Sequence, residues 1–493
     1  MRMRTTLALV LFACTPPLTR GAPEPPPEAA PPRAASTAAS DAGPFASGPA
    51  NAATDAAAPA PVGEADGNDD GETPGEGTVG RGGAFVRVGQ APMALQRICD
   101  LTVHKDALYA AHARQPLGID GATITRYQPE QPKPFAVAFD WNRPGEPTKG
   151  GGAGQGFLRV HSIDGRLYVP DADPPYNGLG LAEYGTEGYV FVSAEDGHFA
   201  PPRYPHFRPP APPDLVSKGH DVRVPGKPPG GVMPAWGGAA VLPRAYHVID
   251  AIRYRGHLYA STGSVPPKER AWSGPSPGAL HMAAPDLARW NYVLGYPTPY
   301  QNGVWRLTYL TRFKGRLYAG IQDYDGRDPN SYVMFTPPEG REVVEQADTH
   351  PVAVPGVGGA MTVRWYADRG KLYWLAFGLA GRDMKLRVTE DGDHWKEIAM
   401  PDGAGRPTDI VRYKDALVVL TERSLVRVDG AEPLVLAEIN DKKSPFVLDD
   451  YFCSAPLSVY RNELYAGGQR DGALFKWVPE APAAAQASDA GAP

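Results

Sequence analysis

The chain of 493 residues combines 56 glycines and 55 prolines with a 10% share of aromatic residues, a mixture typical of an all-β protein joined to disordered segments. Its formal net charge is −6, and no basic run is present that would hold a nucleic acid or a membrane surface. We therefore expect neither partner to be bound through charge.

The first fourteen residues have the order of a bacterial export signal. Arg2 and Arg4 supply a positive start, and residues 7–12 form an apolar run far shorter than the ~18 residues that a membrane-spanning helix needs. The run ends in Leu-Phe-Ala-Cys, which resembles the lipobox of bacterial lipoproteins, in which the cysteine, here Cys14, carries the lipid. Residues 1–14 are predicted to be a lipoprotein signal peptide. The alternative is a buried Cys14 in an ordinary fold.

The predicted lipid is the only membrane attachment expected. Thr15 follows the cysteine in place of the aspartate that retains such proteins at the inner membrane, which indicates the outer membrane or the cell surface. Residues 15–82 consist mainly of small, polar and acidic residues and proline, so they are predicted to be a disordered linker. Residues 480–493 have the same composition and are predicted to be a disordered tail.

A block of ten residues recurs along the rest of the chain. Its copies are residues 100–109, 159–168, 250–259, 309–318, 364–373, 409–418 and 456–465. The ninth position is always leucine, and the seventh is always aspartate, glycine or asparagine, the residue types that tolerate the positive φ of a tight hairpin turn. Each block is therefore predicted to be two antiparallel strands joined by a short turn.

The spacing between blocks leaves room for four short strands, the size of one blade of a β-propeller. We predict that residues 83–479 form an all-β, seven-bladed β-propeller in which an N-terminal strand at residues 84–90 completes and closes the last blade. One gap is much longer than the others, and residues 200–243 within it are predicted to be an insertion between blades 2 and 3. A hidden eighth blade is the alternative.

Three short segments share a spacing from aspartate to an aromatic residue. They read Thr389-Glu-Asp391-Gly-Asp-His-Trp395, Ala284-Pro-Asp286-Leu-Ala-Arg-Trp290 and, more loosely, Ser193-Ala-Glu195-Asp-Gly-His-Phe199. They resemble the Asp-box turns of sialidase-like propellers. The resemblance implies a propeller fold, and it does not imply sialidase activity because such turns lie on the rim of the fold, away from the ligand.

The candidate site lies where the first strand of each blade begins. The first block position, called the lower tier, holds Asp100, Arg159, Asp250, Tyr309, Arg364, Asp409 and Pro456. Three residues upstream, the upper tier holds Arg97, Gly156, His247, Arg306, Met361, Arg406 and Cys453. Loops expected at the same end add His112, Asp171, Asp173, Asp323, Tyr324, Asp325 and Arg470. The tiers are either a self-neutralising ring of ion pairs or a pocket in which arginines bind a carboxylate or sulfate.

The predicted ligand-binding residues are Arg97, His247, Arg306, Arg406, Asp250, Asp323, Asp325 and Tyr324. We favour a surface-anchored, non-catalytic, monomeric module that binds an anionic glycan or a protein partner, because no catalytic residues are identified. The alternative is a glycan-active hydrolase or lyase that uses a carboxylate pair such as Asp250 and Asp323. A scaffold that uses the blade rims is a third hypothesis. No cofactor and no metal site are predicted.

Three further side chains have structural interpretations. His104 and His161 occupy block positions where other copies hold core residues, so both are expected to be packed side chains. Cys99 and Cys453 precede the first strands of blades 1 and 7, which are neighbours only if the ring closes. In an oxidising compartment these two cysteines are predicted to form a disulfide, the alternative being two buried thiols.

Overall fold

The computed structural model describes residues 66–67, 73–93, 95–113, 122–140, 156–171, 187–199, 238–243, 247–263, 278–284, 290–297, 304–323, 327–357, 360–378, 384–439, 444–447 and 453–480. Within these ranges the chain is all-β, with a single short 3-10 helix at Gln346–Asp348. None of the described residues belongs to a helix long and apolar enough to cross a membrane.

The first strand of the chain, β1 (Gly83–Gly89), is followed by three antiparallel meanders of four strands each. The first meander contains β2 (Arg97–His104), β3 (Ala107–Ala113), β4 (Thr123–Tyr127) and β5 (Phe135–Asp140). The second contains β6 (His161–Ile163), β7 (Arg166–Pro170), β8 (Glu187–Val192) and β9 (Gly238–Pro243). The third contains β10 (Val248–Tyr254), β11 (His257–Thr262), β12 (Ala279–Ala283) and β13 (Trp290–Gly295).

The fourth and fifth meanders share one eight-stranded sheet, because β15 and β18 are joined by a parallel pairing of Ile321 with Met361. The fourth contains β14 (Val304–Phe313), β15 (Arg316–Asp323), β16 (Tyr332–Phe335) and β17 (Thr349–Val352). The fifth contains β18 (Ala360–Asp368), β19 (Lys371–Gly378), β20 (Met384–Thr389) and β21 (Lys396–Ile398).

The sixth meander contains β22 (Pro407–Tyr413), β23 (Ala416–Thr421), β24 (Ser424–Arg427) and β25 (Leu434–Glu438). The last contains β26 (Leu457–Tyr460), β27 (Glu463–Gly467) and β28 (Leu474–Pro479), with β1 paired antiparallel to β28 as its fourth strand. The first strand of each meander contacts the first strand of the next, and β26 contacts β2. Antiparallel meanders packed side by side in this way form a β-propeller-like fold.

The hairpin turn of each block explains the recurring strand pair. The sixth block position has a positive φ in all seven copies, between 48° and 54°. The seventh position is also positive where it is glycine or asparagine, as at Gly165 and Asn462. Positive φ at both central residues is the geometry of the tight turn that best suits twisted strands. The sequence pattern identified the seventh position, but it did not reveal that the sixth shares the conformation.

The core lies between neighbouring meanders, where the inward faces of their strands meet. Between the fourth and fifth meanders, the Trp365 and Trp374 rings stack at 5.4 Å, and Tyr332 contacts both edge-on. Trp395, the last residue of the Asp-box-like segment, packs on Trp374 at 5.3 Å. Asp391 of that segment accepts hydrogen bonds from the backbone N–H groups of the two residues before Trp395, which holds the turn closed.

Two predicted boundaries need correction. The last six residues of the predicted insertion at 200–243 are β9, which pairs with β8 along its whole length, so they belong to the second meander. They were missed because proline and glycine dominate the residues before them. Residues 200–237 lie outside the described residues, as do the predicted signal peptide with Cys14 and the tail at 481–493.

The predicted disordered linker is also too long at its C-terminal end. Residues 66–67 and 73–79, called the strap, bind to hairpin turns of the folded part. Gly67 exchanges backbone hydrogen bonds with Arg312, and the Pro74 carbonyl accepts one from Lys414 N–H at 2.6 Å. Val79 is buried in the core between the sixth and last meanders. Composition alone predicted disorder because these contacts use mainly backbone groups, which every residue carries.

Candidate functional site

The lower tier is a buried network of ion pairs at the starts of the first strands. The Arg159 guanidinium lies 3.1 Å from the Asp100 carboxylate and 3.5 Å from that of Asp250, and all three side chains are at most 5% exposed. The same guanidinium lies over the Tyr309 ring, 5.4 Å from its centre. Four lower-tier positions from consecutive meanders therefore contact one another, and the Arg159 guanidinium lies between two carboxylates.

The carboxylates of the lower tier also bind the backbone of the following meander. Asp100 Oδ2 accepts the N–H of Val160 at 2.9 Å. In the same way, Asp250 Oδ2 accepts the N–H of Leu310, and Asp409 Oδ2 accepts the N–H of Leu457, both at 2.7 Å. In each case the donor is the second residue of the next block. A buried backbone N–H must find an acceptor, so these three aspartates hold neighbouring meanders together.

A second ion pair of the lower tier joins the fifth and sixth meanders. Arg364 lies 3.2 Å from the Asp409 carboxylate, and both side chains are buried. Burial raises the pKa of Asp409, and the adjacent Arg364 opposes that rise. The sequence left open whether the tiers are ion pairs or a pocket, and for the lower tier the geometry is that of ion pairs.

The two histidines of the blocks are buried and hydrogen-bonded. His161 Nε2 lies 2.5 Å from Asp250 Oδ1, and His104 Nδ1 lies 2.8 Å from Ser162 Oγ. Burial lowers the pKa of His104. Packing was predicted for both side chains. The specific contact of His161 with Asp250 was not predicted, because it crosses from one meander to the next.

In the upper tier the structure brings His247 and Arg306 together. Arg306 Nη2 donates to His247 Nε2 at 2.9 Å, and Arg306 Nη1 donates to Gln322 Oε1 at 3.2 Å. Both residues are 5% exposed. A guanidinium has donors only, so His247 Nε2 is the acceptor and the proton of this imidazole is on Nδ1. The pair places a guanidinium beside an imidazole at the upper tier.

The other two upper-tier arginines have different surroundings. Arg406 pairs with Glu422 of its own meander at 2.7 Å, and its side chain remains 32% exposed. Arg97 begins β2, is 8% exposed and pairs in register with Ala113. The basic upper tier therefore consists of a buried His247–Arg306 pair, a buried Arg97 and a neutralised, partly exposed Arg406.

The remaining upper-tier positions are shaped by packing. A Cβ atom on Gly156 would lie 2.3 Å from the Cβ of Ala113, so no larger residue fits there without a shift. Met361 is buried in the core of the fifth and sixth meanders. Cys453 forms a disulfide with Cys99, 354 residues away in sequence, and this bond joins the last meander to the first.

Asp323, predicted to be a ligand-binding residue, lies in a buried hydrogen-bond network. Its Oδ2 accepts the N–H of Asp328 at 2.6 Å, and the Asp328 carboxylate accepts the Tyr296 hydroxyl at 3.1 Å. Asn330 Nδ2 donates to both Tyr296 and Asp328. Burial and the nearby Asp328 raise the pKa of Tyr296. The sequence did not reveal Tyr296 or Asp328, since neither occupies a repeat position.

Some of the predicted loop residues serve the fold. Asp171 accepts N–H groups from Tyr189 and from Val248 of the next meander, both at 2.9 Å. His112 is fully buried beside Thr125 Oγ1 at 2.8 Å, and burial lowers its pKa to about 3. Arg470 is exposed. Tyr324, Asp325 and Asp173 lie outside the described residues. Within the described part of the chain, no group of three or more His, Cys, Asp or Glu is arranged to hold a metal ion.

No protein-family model and no curated protein matches the chain. Similar solved structures include a catalytically inactive virginiamycin B lyase from Staphylococcus aureus with quinupristin, at 8% identity and a TM-score of 0.46, covering 80% of this chain and 99% of the lyase. The extracellular domain of the one-component system BT4673 from B. thetaiotaomicron has 10% identity and a TM-score of 0.42, covering 81% and 40%. Chaetomium thermophilum Raptor has 10% identity and a TM-score of 0.44, covering 82% and 29%. Likenesses this distant do not indicate a substrate or a partner.

Proposed function

We propose that the chain is an exported lipoprotein of the outer membrane or cell surface whose folded part is a seven-bladed β-propeller acting as a non-catalytic binding module. Support for seven blades comes from the cycle of contacts between first strands, which returns from β26 to β2, and from β1 as the fourth strand of the last meander. Support for export comes from the lipobox-like segment ending at Cys14 and from the disulfide, a bond typical of oxidising compartments.

The ligand that this module fits best is the carboxylate or sulfate group of an anionic glycan, bound at the upper tier. The observation that carries this proposal is the contact between Arg306 and His247, which places a guanidinium beside an imidazole at the upper tier. Planar guanidinium groups bind carboxylate and sulfate through paired hydrogen bonds, and a low-dielectric surrounding strengthens such bonds. A carboxylate-bearing surface of a partner protein has the same chemistry and is the second candidate.

The catalytic alternative has less support. Asp250 is 1% exposed, and its carboxylate already pairs with Arg159 and His161 and accepts the N–H groups of Ala251 and Leu310. A carboxylate that is committed to so many donors is poorly placed to exchange protons with a substrate. Asp323 is buried and accepts the backbone N–H of Asp328. A hydrolase or lyase would require other carboxylates.

A glycan array tests the proposal directly. The Cys14→Ser chain, which lacks the lipidation residue, is screened against neutral, sulfated and uronate-containing glycans at low and high salt. We expect binding to anionic glycans alone and weaker binding at high salt, because salt screens a charge-based contact. Binding to neutral glycans that ignores salt, or cleavage of a bound glycan, would contradict the proposed function.

A further inference from the structure

The end of the fold that carries the hairpin turns has an unusual charge pattern. The sixth block position, which lies in these turns, holds Lys105, Asp164, Arg255, Lys314, Arg369, Lys414 and Arg461, all at positive φ. Six of the seven residues are basic, and we call these six the basic turn ring. Glycine, asparagine and aspartate suit this backbone region best, whereas lysine and arginine adopt it at a cost in free energy. The turn geometry alone therefore does not explain the basic residues.

Packing inside the fold accounts for part of the pattern. Four of the cations lie over the aromatic ring of the preceding residue, at 5.1 to 5.5 Å from its centre, namely Arg255, Lys314, Lys414 and Arg461. Lys105 and Arg369 follow His104 and Asp368 instead. Lys105, Lys314 and Arg369 are exposed. The ring is thus a basic surface as well as a packing device.

The strap lies on this surface. The Asp66 carboxylate accepts the N–H of Lys314 at 2.8 Å, and Gly67 pairs with Arg312. Farther along, the Gly77 carbonyl accepts the N–H of Asp415. Glu76 N–H donates to Asn462 Oδ1 at 2.7 Å. The two described pieces of the strap therefore contact the fourth, sixth and last meanders.

The charge of this segment complements that of the ring. Residues 64–77 include six acidic residues and no lysine or arginine. Within the ring, Arg461 pairs with Glu130. In the turn between β20 and β21, Glu390 pairs with Lys371 and Asp393 with Arg316. Of the six acidic residues in 64–77, the structure describes Asp66 and Glu76, which contact the hairpin turns at Lys314 and Asn462.

We propose that the basic turn ring is a second binding surface, specific for acidic extended peptides, and that the strap is its displaceable occupant within the same chain. A peptide in this position gains backbone hydrogen bonds from the turns and charge attraction from the lysines and arginines around them. Because the strap occupies the surface at a high effective concentration, an outside peptide binds only when the strap is released. This surface lies at the turn end of the meanders, whereas the proposed glycan site lies at the starts of the first strands.

A single substitution should weaken the contact of the strap with the last meander without changing any charge. Gly75 has a φ of +78°, and a Cβ atom there would lie 2.3 Å from Asn462 Oδ1, so Gly75→Ala should detach the strap from the last meander. Gly340→Ala is the matched control, because Gly340 has a φ of +81° but no atom within 4 Å of the added Cβ. Amide hydrogen exchange at residues 73–79 reports release in the full chain.

Binding of a fluorescent peptide with the sequence of residues 64–79 then tests the surface. We expect Gly75→Ala to bind this peptide at least ~10-fold more tightly than the Gly340→Ala control, with affinity that falls as salt rises. Adding Lys314→Gln and Lys414→Gln to Gly75→Ala should abolish the gain. In the otherwise unchanged chain, the same two substitutions should increase the rate of amide hydrogen exchange at residues 73–79.

Three results would overturn the proposal. The first is that amide hydrogen exchange of the strap in the full chain changes neither with salt nor when Lys314→Gln and Lys414→Gln are introduced together. The second is a Gly75→Ala chain that exchanges fast at residues 73–79 yet does not bind the peptide. The third is equal binding of the acidic peptide and of one in which every acid is replaced by its amide. Binding to anionic lipid vesicles but not to the peptide would assign the ring to a membrane surface instead.

Discussion

The two tiers at the starts of the first strands use similar residues for different purposes. Lower-tier Arg159 and Arg364 contact buried aspartates, and those aspartates also accept N–H groups from the next meander. Upper-tier Arg306 contacts the neutral His247 and Gln322. An arginine paired with a buried carboxylate has its charge neutralised and contributes to stability. The contacts of Arg306 include neutral acceptors, and the proposed ligand site is placed there for that reason. The partners of the arginines therefore differ between the two tiers.

The largest expected effect comes from removing a lower-tier carboxylate. Asp250→Ala leaves Arg159, His161 and the N–H of Leu310 without a shared acceptor, and breaking a buried ion pair costs about 3–5 kcal/mol. Denaturant unfolding measures the loss. Asp393→Ala, which removes a half-exposed partner of Arg316, is the control and should cost at most about 1 kcal/mol. If the two variants lost equal stability, the structural role assigned to the lower-tier carboxylates would be contradicted.

Loss of the disulfide should have the next largest effect. Cys453 occupies an upper-tier position but ties the last meander to the first, so it has the structural role of the lower tier. The Cys99→Ser, Cys453→Ser double variant should lose about 2–5 kcal/mol, the usual range for removing a native disulfide. Thermal unfolding with and without reductant checks this. A reductant that changes the melting temperature of the double variant as much as that of the parent would argue against the bond.

Stability should fall in mild acid because of His112. Its pKa of about 3 in the folded state is lower than the ordinary histidine value of 6.5, so the unfolded chain binds the proton first as pH falls from 6.5 to 3. At pH 5 this group alone should reduce the free energy of unfolding by about 2 kcal/mol relative to neutral pH.

The His112→Gln variant should lose less stability than the parent between pH 7 and pH 5. His394→Gln is a useful control, because the adjacent Asp391 raises the pKa of that exposed histidine, so its contribution has the opposite sign. Parallel pH profiles of His112→Gln and the parent would show that His112 is not the responsible group.

The smallest effect is the most specific for function. Arg306→Gln should weaken binding of an anionic glycan identified on the array about 10-fold, or ~1.4 kcal/mol, with little change in melting temperature. Arg364→Gln should lower the melting temperature and leave glycan affinity unchanged, because its partner Asp409 belongs to the lower tier. Loss of stability without loss of affinity in Arg306→Gln would place Arg306 among the ion pairs.

The repeat predicted much of the fold and which side chains lie together at the starts of the first strands. The leucine at the ninth block position and the turn residues before it indicated the strand pairs, and the lone strand at 84–90 indicated the pairing of β1 with β28. Because Arg306 and His247 occupy the same repeat position, the sequence indicated that both lie at the same end of the fold. The partners of Asp250 could not be predicted, because they depend on side-chain directions across two meanders.

The strap was missed for a different reason. Prediction from composition asks whether a segment can bury enough apolar side chains, and this segment has only Val79 to bury. Its other contacts are made by backbone groups and by glycines at positive φ, such as Gly67 and Gly77. The hydrophobic pattern gives no signal for contacts of this kind.

The position of β1 determines how the fold would respond to mechanical load. A pull directed through the N-terminal side reaches the strap first, and its few hydrogen bonds would break one at a time. The load then reaches β1, which is hydrogen-bonded along one side to β28. If β1 were stripped away, the disulfide between Cys99 and Cys453 would still hold the last meander to the first. The chain thus has a weak segment that yields early, and a covalent link that keeps the rest of the fold from opening.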